Sequence, residues 1–163
     1  MVRMYFTYMQ SPVGKLLLAG NGAELKCIGF PEGKGARRSE PGWKADAAPF
    51  VEAIRQLEAY FARDMRQFDL VLAPEGTTFQ LEVWRSLRDI PYGTTVSYAE
   101  IARRICRPKA VRAVGAANGR NPLPIVIPCH RVIGSDGRLT GYGGGLPIKE
   151  ALLALEQGNM HDK

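Results

Sequence analysis

Side chains able to build a metal centre or a disulfide framework are scarce in this chain. Its 163 residues include three cysteines, widely spaced at Cys27, Cys106 and Cys129, and two histidines, His130 and His161. An odd cysteine count without a CxxC pair excludes a disulfide scaffold, and a four-ligand zinc site would use nearly every N/S ligand, so no metal is expected. No apolar run approaches the roughly 18 to 20 residues of a membrane span. The start, Met1-Val2-Arg3-Met4-Tyr5, lacks the apolar core of a signal peptide, so a cytoplasmic protein without membrane contact is expected. Gly141-Tyr142-Gly143-Gly144-Gly145 is too short for a phosphate finger and lacks a following Lys-Ser/Thr, which excludes nucleotide-phosphate binding there. Its glycines instead let backbone approach a ligand closely and leave N–H groups to donate. No cofactor is expected.

Acidic residues are also in deficit. The formal net charge is +6, and it is unevenly placed: residues 78–163 carry twelve Lys+Arg against seven Asp+Glu, whereas residues 1–77 carry ten against nine. A basic half suits a polyanion partner, although a solvated basic surface gives the same count. The hydrophobic fraction of 45% and the charged fraction of 23% are those of a globular chain long enough for one large domain or two small ones.

Tyr5–Tyr8, Lys15–Ala19 and Leu25–Phe30 read as three strands of an antiparallel sheet, joined by Ser11-Pro12-Val13-Gly14 and the hairpin signal Asn21-Gly22. Cys27 falls within the third strand and reads as packing. Residues 32–46 are polar, Gly- and Pro-containing and read as a surface loop. Phe50, Val51, Ile54, Leu57, Tyr60 and Phe61 recur at helical spacing, and Phe68–Leu72 alternates like a further strand. Ala73-Pro74-Glu75-Gly76 is the boundary signal, giving domains at 1–74 and 75–163.

Thr77 and Thr78 can cap a helix whose apolar side is Phe79, Val83, Trp84 and Leu87, stopped at Ile90-Pro91-Tyr92-Gly93. Ser97 with Glu100 three residues on reads as a capping box for a short helix carrying Tyr98, Ile101 and Ile105. A second helix follows over Lys109–Ala117, and two short helices joined by a tight turn make a helix-turn-helix. Apart from Lys109, Arg112, Val111 and Val114, this second helix is Ala and Gly. Its bare surface suits either close approach to another surface, with Arg112 protruding, or tight packing inside the protein. Leu123–Ile127 reads as an apolar strand, Gly134–Gly137 as a hairpin turn between Val132-Ile133 and Arg138–Thr140, and Ile148, Leu152, Leu153 and Leu155 mark a closing helix that carries Glu150 and Glu156.

The chain is organised around Ile127-Pro128-Cys129-His130-Arg131. Pro128 has a fixed φ and no N–H, so it ends the apolar run and presents Cys129 at a turn. Neighbouring side chains diverge on a strand or helix, so a Cys-His dyad here requires a sharp turn or a bridging water, and a third group to orient the imidazole. The plainer alternative is a buried small cysteine beside a satisfied loop histidine.

Ile127-Pro128-Cys129-His130-Arg131-Val132-Ile133-Gly134, with Asn121-Pro122 before it and Gly141-Tyr142-Gly143-Gly144-Gly145-Leu146 after it, resembles the O6-alkylguanine-DNA alkyltransferases. The likeness extends over residues 75–157, including Thr78-Phe79-Gln80, Ile90-Pro91-Tyr92-Gly93 and Ser97-Tyr98, and more loosely over 1–74. It implies an α+β protein: an amino-terminal RNase H-like antiparallel sheet with a helix, then a mostly helical, winged helix-turn-helix-like domain holding the active site. The implied activity is DNA repair by a monomer, in which an alkyl group moves from O6 of a flipped guanine in duplex DNA to the cysteine, once and irreversibly, with O4-alkylthymine left open as a second substrate. The resemblance makes Cys129 the acceptor, His130 the base acting through a water, Glu156 the carboxylate that orients the imidazole, Asn121 the hydrogen-bonder of the active-site turn, and Tyr98 a proton donor toward N3 of the leaving guanine. Arg112 becomes the finger that fills the gap in the duplex. Ser97, Ala110, Ala113, Gly115, Ala116 and Arg120 line the DNA-binding face with Tyr98, and Pro124, Val132, Tyr142, Gly143 and Gly144 form the base pocket.

Two departures from the family pattern stand out. Some members carry zinc in the amino-terminal part, whose ligands are missing here, which bears on stability and not on chemistry. Gly143 stands where some members have Ser. Two other functions use the same residues: a non-catalytic module that recognises alkylated bases, disfavoured by the cysteine itself, and a cysteine hydrolase using Cys129 and His130. His161 and the tail 159–163 are expected to be disordered.

Overall fold

In the computed structural model, which describes residues 3–32, 36–142 and 144–158, the first three strands are β1 (Tyr5–Met9), β2 (Leu16–Gly20) and β3 (Leu25–Gly29). Consecutive strands pair antiparallel, Thr7 opposite Leu18 and Leu18 opposite Ile28. Both connections close by local polar bonds. Ser11 and Gly14 exchange backbone hydrogen bonds of 3.0 Å, and the Asn21 side-chain oxygen accepts from the N–H groups of Ala23 and Glu24. At Gly20, where the register shifts, a Cβ would lie 2.2 Å from the Glu24 carbonyl oxygen, so no larger residue fits that turn.

Residues 32–46, expected as loop throughout, contribute a short strand β4 (Lys44–Ala45), which pairs parallel to β1 and gives the order β3-β2-β1-β4. Nothing in the side chains of Lys44 and Ala45 marks a strand. It is stitched by backbone alone, Lys44 N–H to Met4 O at 2.8 Å and Asp46 N–H to Phe6 O at 3.0 Å. Trp43 anchors it, packing with Met4, Phe6 and Tyr8 against buried Leu17, Ala19 and Cys27, whose thiol is pushed up by burial.

The helix α1 (Val51–Phe61) buries Ala53, Gln56, Leu57 and Tyr60, while Val51 is exposed although it fits the spacing. The strand expected over Phe68–Leu72 reduces to one parallel bridge, Leu25 with Leu72. Gln56 is the reason. Its buried amide takes the N–H and the C=O of Asp69, at 2.9 and 3.0 Å, removing backbone groups that a ladder would need.

Residues 1–75 and 76–163 form two separate units. The second begins with α2 (Thr78–Leu87), whose apolar face buries Val83, Trp84 and Leu87. The capping box lies here: Thr77 Oγ1 accepts from Gln80 N–H at 3.1 Å, and the Gln80 side chain accepts from Thr77 N–H at 2.9 Å. Ser97, which ends β5 (Val96–Ser97), caps α3 (Tyr98–Arg104), but the expected box there is half formed. Ser97 accepts from Glu100 N–H, whereas the Glu100 carboxylate turns to Arg103 and Arg104, because two guanidiniums attract it more than one neutral amide.

After a turn, α4 (Val111–Gly119) packs on α3 and α2, completing a helix-turn-helix, and the Trp84 indole donates to Ala117 O at 2.8 Å. Leu123–Ile127 is not the expected strand. Pro122, Pro124 and Pro128 remove three N–H donors, and Ile127 N–H folds back on Leu123 O at 2.9 Å. Nor do Val132-Ile133 pair with Arg138–Thr140. They form β6 (Val132–Ile133), parallel to β5, and only Gly134 N–H meets Arg138 O across the turn. The chain then enters α5 (Leu146–Gln157), which buries Lys149, Leu152, Leu153, Leu155 and Glu156.

These caps rank two similar-looking sites. Thr77→Ala should destabilise the protein by about 1 kcal/mol, whereas Glu100→Gln, which touches only exposed ion pairs, should leave stability nearly unchanged. Urea unfolding midpoints of the two variants test this order.

Candidate active site

Cys129 is brought into place by a buried, irregular stretch of backbone. Ile125 sits at φ +78°, a left-handed conformation that costs a β-branched residue of order 1–3 kcal/mol. Burial of Leu123, Ile125 and Ile127 holds it there. Asn121 spans the loop from inside, its amide donating to Ile127 O at 2.8 Å and its oxygen accepting from Leu123 N–H at 2.9 Å. Past Pro128, Cys129–Arg131 make one 3-10 turn, with Asn118 Nδ2 donating to Cys129 O at 3.3 Å. The turn that proline implied is therefore present, with a one-turn helix following it.

The thiol is buried, and burial pushes its pKa up to about 11 against the opposing effects of the Asn121 amide and the Lys149 cation. It is protonated at neutral pH. His130 is fully buried too, and its Nε2 lies 2.6 Å from Glu156 Oε2. A carboxylate can only accept, so Nε2 carries the proton and Nδ1 is the basic nitrogen. Among the described residues Nδ1 has no hydrogen-bond partner.

Glu156 is held by more than histidine. Arg131 donates to it through two nitrogens, Nε to Oε1 at 2.8 Å and Nη2 to Oε2 at 2.9 Å, and Gly93 N–H reaches Oε1 at 3.2 Å. Gly93 stands at φ +80°, and a Cβ there would press on Glu156 O at 3.2 Å. Arg131 in turn donates Nη1 to Ile90 O at 2.7 Å and lies over the Tyr92 ring. Burial works to raise the Glu156 pKa, but the hydrogen bonds from His130 and Arg131 outweigh it and hold the carboxyl well below the carboxylate range. Because Arg131 already shares that charge, burial prevails at His130 and its pKa is lowered.

A second buried cation comes from α5. Lys149 is fully buried, its pKa lowered by burial, and donates to Val132 O and to Thr140 O, both at 2.7 Å. The Thr140 carbonyl also accepts from the Tyr98 hydroxyl at 3.2 Å, and Thr140 Oγ1 donates to Tyr98 Oη at 3.0 Å. The Tyr98 ring edge rests over Gly115 of α4.

Thus Cys129, His130, Glu156 and Asn121 come together around one turn, with Val132 and Pro124 buried beside it in sequence. Tyr98 and Gly115 meet at the junction of α3 and α4. On α4, Arg112, Ala113 and Ala116 are exposed, as is Arg120 just beyond it, while Val114 and Ala117 face inward, so the bare side is not consumed by internal packing. Ala110 is half-buried at the N-cap and Ser97 caps α3. Tyr142 is half-buried, Gly144 lies in the turn, and Gly145 N–H, expected to be free, closes on Tyr142 O at 2.9 Å. Gly143, His161 and the tail 159–163 lie outside the described residues.

Sequence reasoning overlooked Arg131, Lys149, Thr140, Gly93 and Asn118. One signal was available: Lys149 and Glu156 are seven residues apart, two turns of the same helix face. Glu150, considered beside Glu156, is exposed.

Because His130 binds its proton less readily when folded, the unfolded chain holds more protons below its pKa of about 6.5. Stability should therefore fall as pH drops from 7 to 5, and fall further below about 4.3 as Glu156 is forced to protonate. In urea unfolding followed across this range, His130→Gln should flatten the slope between pH 7 and 5. An unchanged slope would mean the imidazole is not held neutral.

Residues 78–158 match the DNA binding domain, and residues 4–74 the ribonuclease-like domain, of the 6-O-methylguanine DNA methyltransferases. A methylated-DNA–protein-cysteine methyltransferase from Methanosarcina barkeri is 55% identical over 96% of this chain and 99% of its own. The Mycobacterium tuberculosis OGT protein, solved in complex with DNA, superposes with a TM-score of 0.89 at 49% identity, covering 94% of this chain and 93% of that one. An O6-methylguanine DNA methyltransferase from Methanococcus jannaschii gives a TM-score of 0.69 at 28% identity, with 96% of each chain covered. With both halves matched in order and half of all residues shared with the Methanosarcina barkeri relative, this chain belongs to the 6-O-methylguanine DNA methyltransferase family.

Proposed function

We propose that this protein repairs DNA by transferring an alkyl group from O6 of guanine to its own Cys129, a single irreversible event on duplex DNA. The observation that carries this reading is the 2.6 Å contact between His130 Nε2 and Glu156, which commits the Nε2 proton and leaves a basic Nδ1, unpartnered among the described residues, in the turn that holds the thiol.

A thiol at about 11 is inert at rest. Burial disfavours the thiolate and the imidazolium alike, so a standing thiolate-imidazolium pair is not populated at rest. The thiolate forms only as transfer proceeds, its proton passing through one water to Nδ1 of His130 while Glu156 stabilises the imidazolium. Sulfur attacks the alkyl carbon, the C–O6 bond breaks, and its electron pair stays on guanine. The Tyr98 hydroxyl then supplies a proton to N3. The product is a thioether, which water does not reverse.

The target atom is out of reach in a stacked duplex, and flipping costs a few kcal/mol. The exposed face of α4, with Ala113 and Ala116 flat against the minor groove and Arg112 inserted, offsets that cost, and Ser97, Ala110, Gly115 and Arg120 extend the contact. Minor-groove readout is degenerate, which suits damage in any sequence context. Pro124, Val132, Tyr142 and Gly144 enclose the flipped base. The reaction takes place in the cytoplasm and the protein acts as a monomer. Among the described residues no helix is long and apolar enough to cross a membrane.

Intact mass before and after incubation with O6-methylguanine duplex should show one added methyl, located on Cys129, with no second turnover. A return to the starting mass would indicate a hydrolase instead. Cys129→Ser should abolish transfer and keep DNA binding. Arg112→Ala should slow repair of duplex by about tenfold or more while leaving single-stranded substrate nearly unaffected, since only the duplex requires flipping. Equal losses on both would rule out the finger role.

A further inference from the structure

Thr140 is an exposed residue of the segment between β6 and α5, yet its position is fixed from below by a fully buried cation. Lys149 joins the carbonyls of Val132 and Thr140, so this point of the segment is tied to the strand that follows the Cys129 turn. On its outer side Thr140 contacts the Tyr98 phenol twice, once through its carbonyl and once through its hydroxyl.

The two contacts differ in kind. Lys149 takes the Thr140 carbonyl at 2.7 Å, and the phenol shares that same oxygen at 3.2 Å, long for an O–H···O bond. An acceptor already engaged by an ammonium offers a second donor less, so the phenol proton is loosely held and cheap to redirect. The other contact runs the opposite way. Thr140 Oγ1 donates to the phenol oxygen at 3.0 Å, a bond that strengthens as negative charge grows there.

We infer that Thr140 is a positioning residue for proton donation by Tyr98: its hydroxyl supports the phenol oxygen while the proton leaves for the guanine, and its Lys149-bound carbonyl aims the phenol without retaining that proton. The inference rests on Tyr98 being the donor in the proposed function. In the step itself the C–O6 electron pair passes into the guanine ring, the Tyr98 O–H bond breaks, and its proton goes to N3. The phenolate, half-buried, keeps the Thr140 hydrogen bond until solvent returns a proton. Such a bond is realised most strongly in the transition state, the condition under which it raises the rate rather than ground-state binding.

The test is a single-turnover rate series on O6-methylguanine duplex with Thr140→Val, Thr140→Ser, Tyr98→Phe and the Val/Phe double variant. Thr140 is exposed, so these changes leave the core intact. Losing one hydrogen bond to a developing charge should slow transfer by about tenfold in Thr140→Val, with Thr140→Ser near the parent rate and DNA affinity unchanged. In the Tyr98→Phe background the valine should have no further effect, because the group it serves is gone. Two results overturn the inference while Tyr98→Phe itself is slow: a Thr140→Val rate at or above the parent, as for a latch that hinders the phenol, or an equal loss in both backgrounds. A Tyr98→Phe rate equal to the parent would instead remove the donor role of Tyr98, and the inference with it.

Discussion

Glu156 carries a negative charge in a place where an unpaired carboxylate would cost several kcal/mol, and the Cys129–Arg131 turn is arranged around answering it. Three separated parts of the chain meet there: Gly93 after α2 and His130 with Arg131 in the 3-10 turn donate, and the carboxylate itself stands on α5. Folding one of these segments without the others would leave buried polar groups unmet. The arrangement also sets chemistry. By taking Nε2–H, the carboxylate assigns the lone pair to Nδ1, and by sharing its charge with Arg131 it lets His130 remain a neutral base.

The turn and α5 contribute two buried cations with different duties. Arg131 is spent on Glu156 and on Ile90 O, whereas Lys149 holds backbone carbonyls and lowers the cost of a thiolate nearby. Burial nonetheless dominates and keeps Cys129 protonated. The acceptor role proposed for Cys129, used once and not restored, gains from this, since a standing thiolate would be exposed to any electrophile.

Much of the architecture was legible because it is written in local periodicity and turn chemistry. The three long strands, α1, α2 and the α3–α4 pair follow from apolar spacing and from Ser, Thr, Pro and Gly at their ends. Several departures share one cause. β4, the bridge at Leu72 and the β5–β6 pairing depend on which distant backbone groups are still available, whereas the loop at Leu123–Ile127 follows from nearby prolines. Gln56 occupies Asp69, prolines strip the apolar run of donors, and Lys44 pairs where its composition suggests nothing.

The site divides in the same way. Cys129, His130 and their turn are a contiguous motif, so chain order alone placed a thiol beside an imidazole at a bend enforced by proline. Which nitrogen is basic, which charge steadies it, and what holds Tyr98 were decided by tertiary structure. Those properties belong to Arg131 in the turn, Thr140 before α5, and Lys149 and Glu156 on α5. Hydrogen-bond direction and burial are relations between such segments, and they exist only once the backbone has brought them within 3 Å or so of one another.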